Sequence, residues 1–417
     1  MTQGNTGIVL ATGQTLLDER GLDGFSRLPT SNPTALFDAQ FTYDLHPLLY
    51  EQITTGAGAT ITHDATNHMA LFGFSSTPTG GESILQSFEY LRYQPGKAQQ
   101  PVITFNMNGA VANCIKFAGY SDGDNGYEYR LEADIYGDPI HQLCILSTSD
   151  NGDQSILQAD WNLDKLNGSG ASGIDLQDDQ EQIFLVDFQA LYVGRVRMGF
   201  DIDGKVIWAH EFNHANLTTK PYIAYANLPI RAGMTCTDTV TTTMWFNCTS
   251  VISMGGQEET AGYPNYARAG GISVPNGSWK NALSIRPLTT FNSIVNRSLI
   301  RISDIDVYNR GNNPIWWRAC VGQALTTPSF GAVGTYSAFE YDVTGTLSGS
   351  PAYEMMSGEA LATAQVKQAV SKSFATRYPI TLDAAGAVRV LGTLNIQLYG
   401  IGGTSTADVI VNWKEVR

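Results

Sequence analysis

The sharpest chemical pattern in the chain is His210-Glu211-Phe212-Asn213-His214. On a helix, the H-E-x-x-H spacing sets both imidazoles on one face, where they can hold zinc, with the glutamate beside the metal-bound water as general base. That chemistry requires the helix. Here the string continues an alternating run that begins at Val206, and along a strand the two histidines would stand about 13 Å apart, at roughly 3.3 Å per residue. Ligands that each sit about 2 Å from one zinc ion do not span that gap. Leu217 and Lys220 stand where the longer zinc-protease motif needs a glycine and a third histidine. The downstream segment Tyr222-Ile-Ala-Tyr-Ala-Asn-Leu-Pro229 reads as extended rather than helical. His210 and His214 are therefore expected to bond within or across strands, and the chain is expected to have no catalytic residue, metal or cofactor.

Other candidates are weaker. Ser121-Asp122-Gly123-Asp124-Asn125-Gly126 has the start of a calcium loop, but Ala133 occupies the position where an EF-hand needs its glutamate, so a surface turn is expected. Asn167-Gly-Ser-Gly-Ala-Ser-Gly173 lacks the lysine of a phosphate-binding loop and no helical pattern follows it, which reads as a mobile loop. Trp161, Trp208, Trp245, Trp279, Trp316, Trp317 and Trp413 have the chemistry to stack on sugars, yet most lie in apolar runs, and packing in a core or subunit interface is favoured. No Ser/His/Asp set and no pair of glycosidase carboxylates stands out. The five cysteines, Cys114, Cys144, Cys236, Cys248 and Cys320, are scattered with no C-x-x-C, and buried reduced thiols are expected.

The elements that must position these residues are strands. Charged residues are only 15% of the 417-residue chain, with 43% hydrophobic residues and 42 glycines. Ordinary soluble domains carry about 25% charge, so this balance favours sheets and turns. In Arg195-Val-Arg-Met-Gly-Phe-Asp-Ile202, Val196, Met198, Phe200 and Ile202 fall on one face while Arg195, Arg197 and Asp201 fall on the other. Asp203-Gly204 then supplies a two-residue turn, and Lys205–Phe212 is the return strand. Similar runs recur at 101–105, 127–131 and 182–188. The fold class is all-β: a jelly-roll or concanavalin-like β-sandwich followed by a second β-rich domain, with an extended N-terminal arm. The arm spans 1–36, the sandwich 37–255 and the second domain 256–417, the last with a helix over 360–376 where helix formers cluster.

The net charge of −14, with no offsetting basic run, excludes direct nucleic-acid binding. No segment has the length of a signal peptide's apolar core or of a membrane span.

Several long strings resemble a widespread family of virion structural proteins of tailed bacteriophages. They include Gly24-Phe-Ser-Arg-Leu-Pro-Thr-Ser-Asn-Pro33, Phe88-Glu-Tyr-Leu-Arg-Tyr-Gln-Pro-Gly-Lys97, Trp161-Asn-Leu-Asp-Lys-Leu-Asn-Gly-Ser-Gly-Ala-Ser-Gly-Ile174 and Phe184-Leu-Val-Asp-Phe188. Asn227-Leu-Pro-Ile-Arg231, Ser284-Ile-Arg-Pro-Leu-Thr-Thr-Phe-Asn-Ser-Ile-Val-Asn-Arg297 and Asn412-Trp-Lys-Glu-Val-Arg417 continue the series. The stretch 350–376 departs most from the family pattern. The resemblance implies a non-enzymatic head or neck fibre, decoration or tail-appendage subunit in a virion assembled in the bacterial cytoplasm. Its partners would be other virion proteins and copies of itself, a homo-oligomer with a trimer favoured. The alternative is an adhesin that holds a host surface glycan.

Overall fold

The computed structural model describes residues 32–75, 80–256, 262–361, 368–369 and 378–417. They fall into two compact units, one formed by residues up to 87 with 91–258, the other by 88–90 with 259–417.

The first unit is a sandwich of two antiparallel sheets. Its strands, numbered along the chain, are β1 (Thr34–Gln40), β2 (Tyr50–Thr55), β3 (Ala59–Asp64), β4 (Met69–Phe74), β5 (Gly81–Ser87), β6 (Ala98–Asn106), β7 (Cys114–Ser121), β8 (Gly126–Ala133), β9 (Pro139–Leu146), β10 (Gln154–Leu157), β11 (Gln182–Gln189), β12 (Val196–Ile202), β13 (Lys205–Phe212), β14 (Ile230–Cys236) and β15 (Thr242–Ser253). The eight-stranded sheet runs β13-β12-β11-β6-β15-β4-β3, with β1 beside β15, and the seven-stranded sheet runs β10-β9-β8-β7-β14-β5-β2. Period-two patterning drives this layering. Phe184, Val186 and Phe188 of β11 and Val196, Met198 and Phe200 of β12 are all fully buried. Aromatic rungs join the two sheets: Phe105 of β6 stacks on Tyr129 of β8 at 5.6 Å, and Phe188 of β11 on Tyr127 of β8 at 4.9 Å. The turn between β12 and β13 has positive φ at both Asp203 (55°) and Gly204 (74°), matching the twist of the strands it joins. This is the jelly-roll, concanavalin-like sandwich that the alternating runs imply.

The second unit is also built of strands: β16 (Tyr263–Val274), β17 (Trp279–Pro287), β18 (Thr290–Phe291), β19 (Ile294–Val295), β20 (Leu299–Asn309), β21 (Ile315–Val321), β22 (Ala324–Thr326), β23 (Gly331–Ala332), β24 (Phe339–Asp342), β25 (Thr346–Ser348), β26 (Tyr353–Ala360), β27 (Gln368–Ala369), β28 (Leu394–Gly400) and β29 (Ser405–Val416). A four-stranded sheet runs β16-β29-β20-β27 and a six-stranded one β23-β24-β17-β28-β21-β26. Alternate residues bury Ile305, Val307, Val409 and Val411 in the first and Leu283, Ile285, Ile396, Leu398 and Ala319 in the second.

Residues 1–31 of the arm lie outside the described residues, and Thr34–Leu36 already belong to β1, paired with β15. The helix over 360–376 lies mostly outside them too; of its described members, Ala360 ends β26, and Gln368 and Ala369 pair as a strand with Val307 and Asp306. The expectation of five reduced thiols is overturned. Cys114 and Cys236 form a disulfide, because the sheet order sets β14 beside β7 with these two residues directly opposed. Cys144 and Cys320 are buried free thiols, whereas Cys248 is free and exposed.

Candidate functional site

The H-E-x-x-H string lies on β13 and the turn that follows it, in the first unit. His210 accepts the backbone N–H of Asn162 at Nδ1 (3.2 Å) and packs its ring against Phe212 at 4.5 Å. His214 is used on every side. Its Nδ1 lies 2.8 Å from the Gly194 carbonyl, which only accepts, so Nδ1 carries the proton. Nε2 then takes the amide N–H of Gln154, 3.2 Å away, and the ring stacks on Tyr222 at 4.1 Å. Burial pulls both imidazoles below their ordinary range. Glu211 accepts from Asn213 (3.0 Å) and lies 3.8 Å from Arg195. No lone pair of His214 is left to meet a metal.

Other polar residues of this unit are similarly engaged. Asp122 Oδ1 accepts the N–H groups of Asp124 (3.1 Å) and Asn125 (2.7 Å), closing a surface turn. The Gly-rich loop is wrapped around Asp164, whose two oxygens accept the N–H groups of Leu166 (2.9 Å) and Ser172 (2.7 Å). Lys116 is fully buried and donates from Nζ to the carbonyls of Met107 (2.6 Å), Gly109 (2.9 Å) and Thr243 (3.0 Å). Burial brings its ammonium down to about 8, while Asp178 pulls the other way.

The second unit holds a different arrangement. Consecutive strand residues face opposite ways, so of Trp316 and Trp317 on β21 only one can point inward. Trp317 is buried, whereas Trp316 is 48% exposed. Cross-strand register places Trp279 of β17, Tyr399 of β28 and Trp316 in one row. Ring centroids are 5.3 Å apart for Trp279 and Tyr399, and 5.6 Å for Trp316 and Tyr399. The next rung on the same face is Asn281, Gln397 and Arg318. Arg318 lies over Trp279 at 4.1 Å, donates to Gln397 Oε1 at 2.8 Å and pairs with Glu354. These contacts lock the guanidinium and, through it, the Trp279 ring. Glu359 of β26 stands opposite Trp316; its carboxylate is exposed and makes no hydrogen bond or ion pair among the described residues. Gly358 lets β26 pass close to Trp317, since a Cβ there would come within 2.8 Å of the indole nitrogen.

Aromatic rings beside fixed polar groups can receive the C–H face of a sugar ring while satisfying its hydroxyls. Of the tryptophans expected in a core or subunit interface, Trp161, Trp317 and Trp413 are buried in the core, whereas Trp316 is left half exposed. The adjacent pair Trp316-Trp317 in a strand was the available signal. Tyr399 gave none, because its place in the row depends on which strand lies beside β21.

Among the described residues, no helix is long and apolar enough to cross a membrane, and no three His, Cys, Asp or Glu side chains converge as a metal-ligating group. No protein-family model matches the chain, and no curated protein matches it. Solved structures similar to it include the winged bean acidic lectin complexed with methyl-α-D-galactose, at 10% identity and TM-score 0.33, over 54% of this chain and 100% of that one. A pseudo β-1,3-glucanase of Mycobacterium tuberculosis is 9% identical with TM-score 0.36, over 54% and 99%. A carbohydrate esterase from a Shiga toxin-encoding bacteriophage is 14% identical with TM-score 0.32, over 53% and 99%. Likenesses this remote assign neither activity nor ligand.

Proposed function

We propose that the chain is a non-catalytic, glycan-binding subunit of a tailed-bacteriophage particle, holding sugar on the row Trp279-Tyr399-Trp316. The observation that carries this is Trp316, left half exposed beside Tyr399 and opposite a carboxylate with no partner among the described residues. A large aromatic left at the surface in a contiguous patch marks an interaction site more often than a packing accident. The particle setting rests on the long strings that resemble virion structural proteins. A homo-oligomer, a trimer in that setting, would present several such rows at once and raise the avidity of weak single-site binding. The non-catalytic reading is supported by the first unit, where the most enzyme-like string has both ring nitrogens of His214, Nδ1 of His210 and the Glu211 carboxylate engaged internally.

The test is a glycan array with the full chain and W316A. A set of glycans bound by the parent and weakened roughly tenfold in the variant, the scale of one lost aromatic contact, supports the proposal. A parent that binds no glycan, or a variant that binds the same glycans unchanged, overturns it. Stoichiometric presence of the chain in purified virions tests the particle setting separately.

A further inference from the structure

Resting on the glycan-binding function proposed above, we infer that the row takes neutral glycans and rejects those bearing carboxylate, phosphate or sulfate, with Glu359 setting the choice. The charges around the row decide this. Arg318 is the cation on the aromatic face, and it is already engaged by Glu354, by Gln397 Oε1 and by the face of Trp279. Lys280 follows Trp279 on β17, so it leaves the strand on the opposite side, and its Nζ donates to the Ser273 carbonyl at 3.1 Å. What faces a ligand over Trp316 is thus the carboxylate of Glu359, directly across the strand pair.

A carboxylate is an acceptor with room for two hydroxyl donors, and such charge-assisted bonds are about twice as strong as neutral ones. A neutral sugar supplies those hydroxyls while its C–H face lies on the ring. An acidic sugar would bring a second negative charge to a site with no unengaged cation among the described residues, on a chain of net charge −14. Glu359 is therefore both the hydrogen-bonding anchor and the element that repels the wrong ligand.

The experiment uses the full chain and titrates neutral oligosaccharides of gluco, galacto and manno configuration against sialylated and uronic-acid oligosaccharides, at low and high salt. Melting curves check that the variants fold. The parent should bind at least one neutral glycan and no acidic one. E359Q should weaken the neutral glycan roughly tenfold, and E359K should weaken it at least as much while gaining measurable affinity for acidic glycans that fades with salt. Acidic glycans that bind the parent as tightly as neutral ones, with W316A abolishing both, would overturn the selectivity and leave the platform standing. Full retention of neutral binding in E359Q would overturn the role of Glu359. If neither class binds the parent, or W316A changes nothing, the platform itself fails.

Discussion

His214 in the first unit and Trp316 in the second are opposite cases of the same question. His214 belongs to a five-residue string with the spacing of a metalloprotease, yet its Nδ1–H goes to Gly194, its Nε2 to Gln154 and its ring face to Tyr222. Trp316 belongs to no motif. Its partners Tyr399 and Trp279 come from two other strands, and half its surface is open. Chemistry with a ligand needs valences that the fold leaves unused, and sequence spacing does not report those. The buried side chains of His214 and Lys116 in the first unit are satisfied inwardly, as the cost of stranding a buried polar group requires, whereas the aromatic row of the second unit leaves Trp316 facing outward.

That contrast predicts stability effects in one region and binding effects in the other. The largest stability loss should follow Lys116→Met. The three carbonyls of Met107, Gly109 and Thr243 remain buried after their donor is removed, and stranding them should cost about 3 kcal/mol or more. Urea denaturation should show the loss with glycan binding of the folded protein unchanged; an unchanged midpoint would contradict the inward-satisfied description. His214→Ala strands the Gly194 carbonyl and the Gln154 amide and removes the stack on Tyr222, for about 2 kcal/mol. It should leave glycan binding intact. Stoichiometric zinc in the parent, lost in this variant, would reverse the account of the string.

A smaller effect comes from acid. His141, His210 and His214 all have folded pKa values lowered by burial. A group whose pKa is depressed in the fold lends stability above its unfolded value, and this is lost as protons bind preferentially to the unfolded chain. Stability should therefore begin to fall as pH drops below the ordinary imidazole value of 6.5. That is well above the window below 3.8 in which the contribution of the lowered carboxylates Asp342 and Asp408 is lost. Denaturation midpoints at pH 7.5 and 5.5 check this, and a flat profile between them would contradict it. The smallest stability change, within about 0.5 kcal/mol, belongs to Trp316→Ala, as for an exposed side chain. A larger drop would mean that Trp316 is a structural residue and not a waiting surface.

How much of this was legible depends on the range over which each feature is decided. The turn Asp203-Gly204 and the face of Val196, Met198 and Phe200 are local, and residue type alone specifies them. The disulfide between Cys114 and Cys236 spans 122 residues and arises only because β14 inserts beside β7, a sheet order that no local pattern encodes. The row of Trp279, Tyr399 and Trp316 is hidden for the same reason. Its strands are neighbours only once β28 lies between β17 and β21. Alternation across Trp316-Trp317 is a local signal that one of the two faces outward, but it does not tell what stands beside it.

The most direct test of the central claim is calorimetric titration of the intact chain and of its Trp316→Ala variant with a neutral oligosaccharide that the parent binds, alongside melting curves of both. The account predicts binding by the parent, a roughly tenfold loss in the variant and coincident melting curves. Equal affinity in the two proteins, or a loss of binding that tracks a collapse in melting temperature, would contradict it.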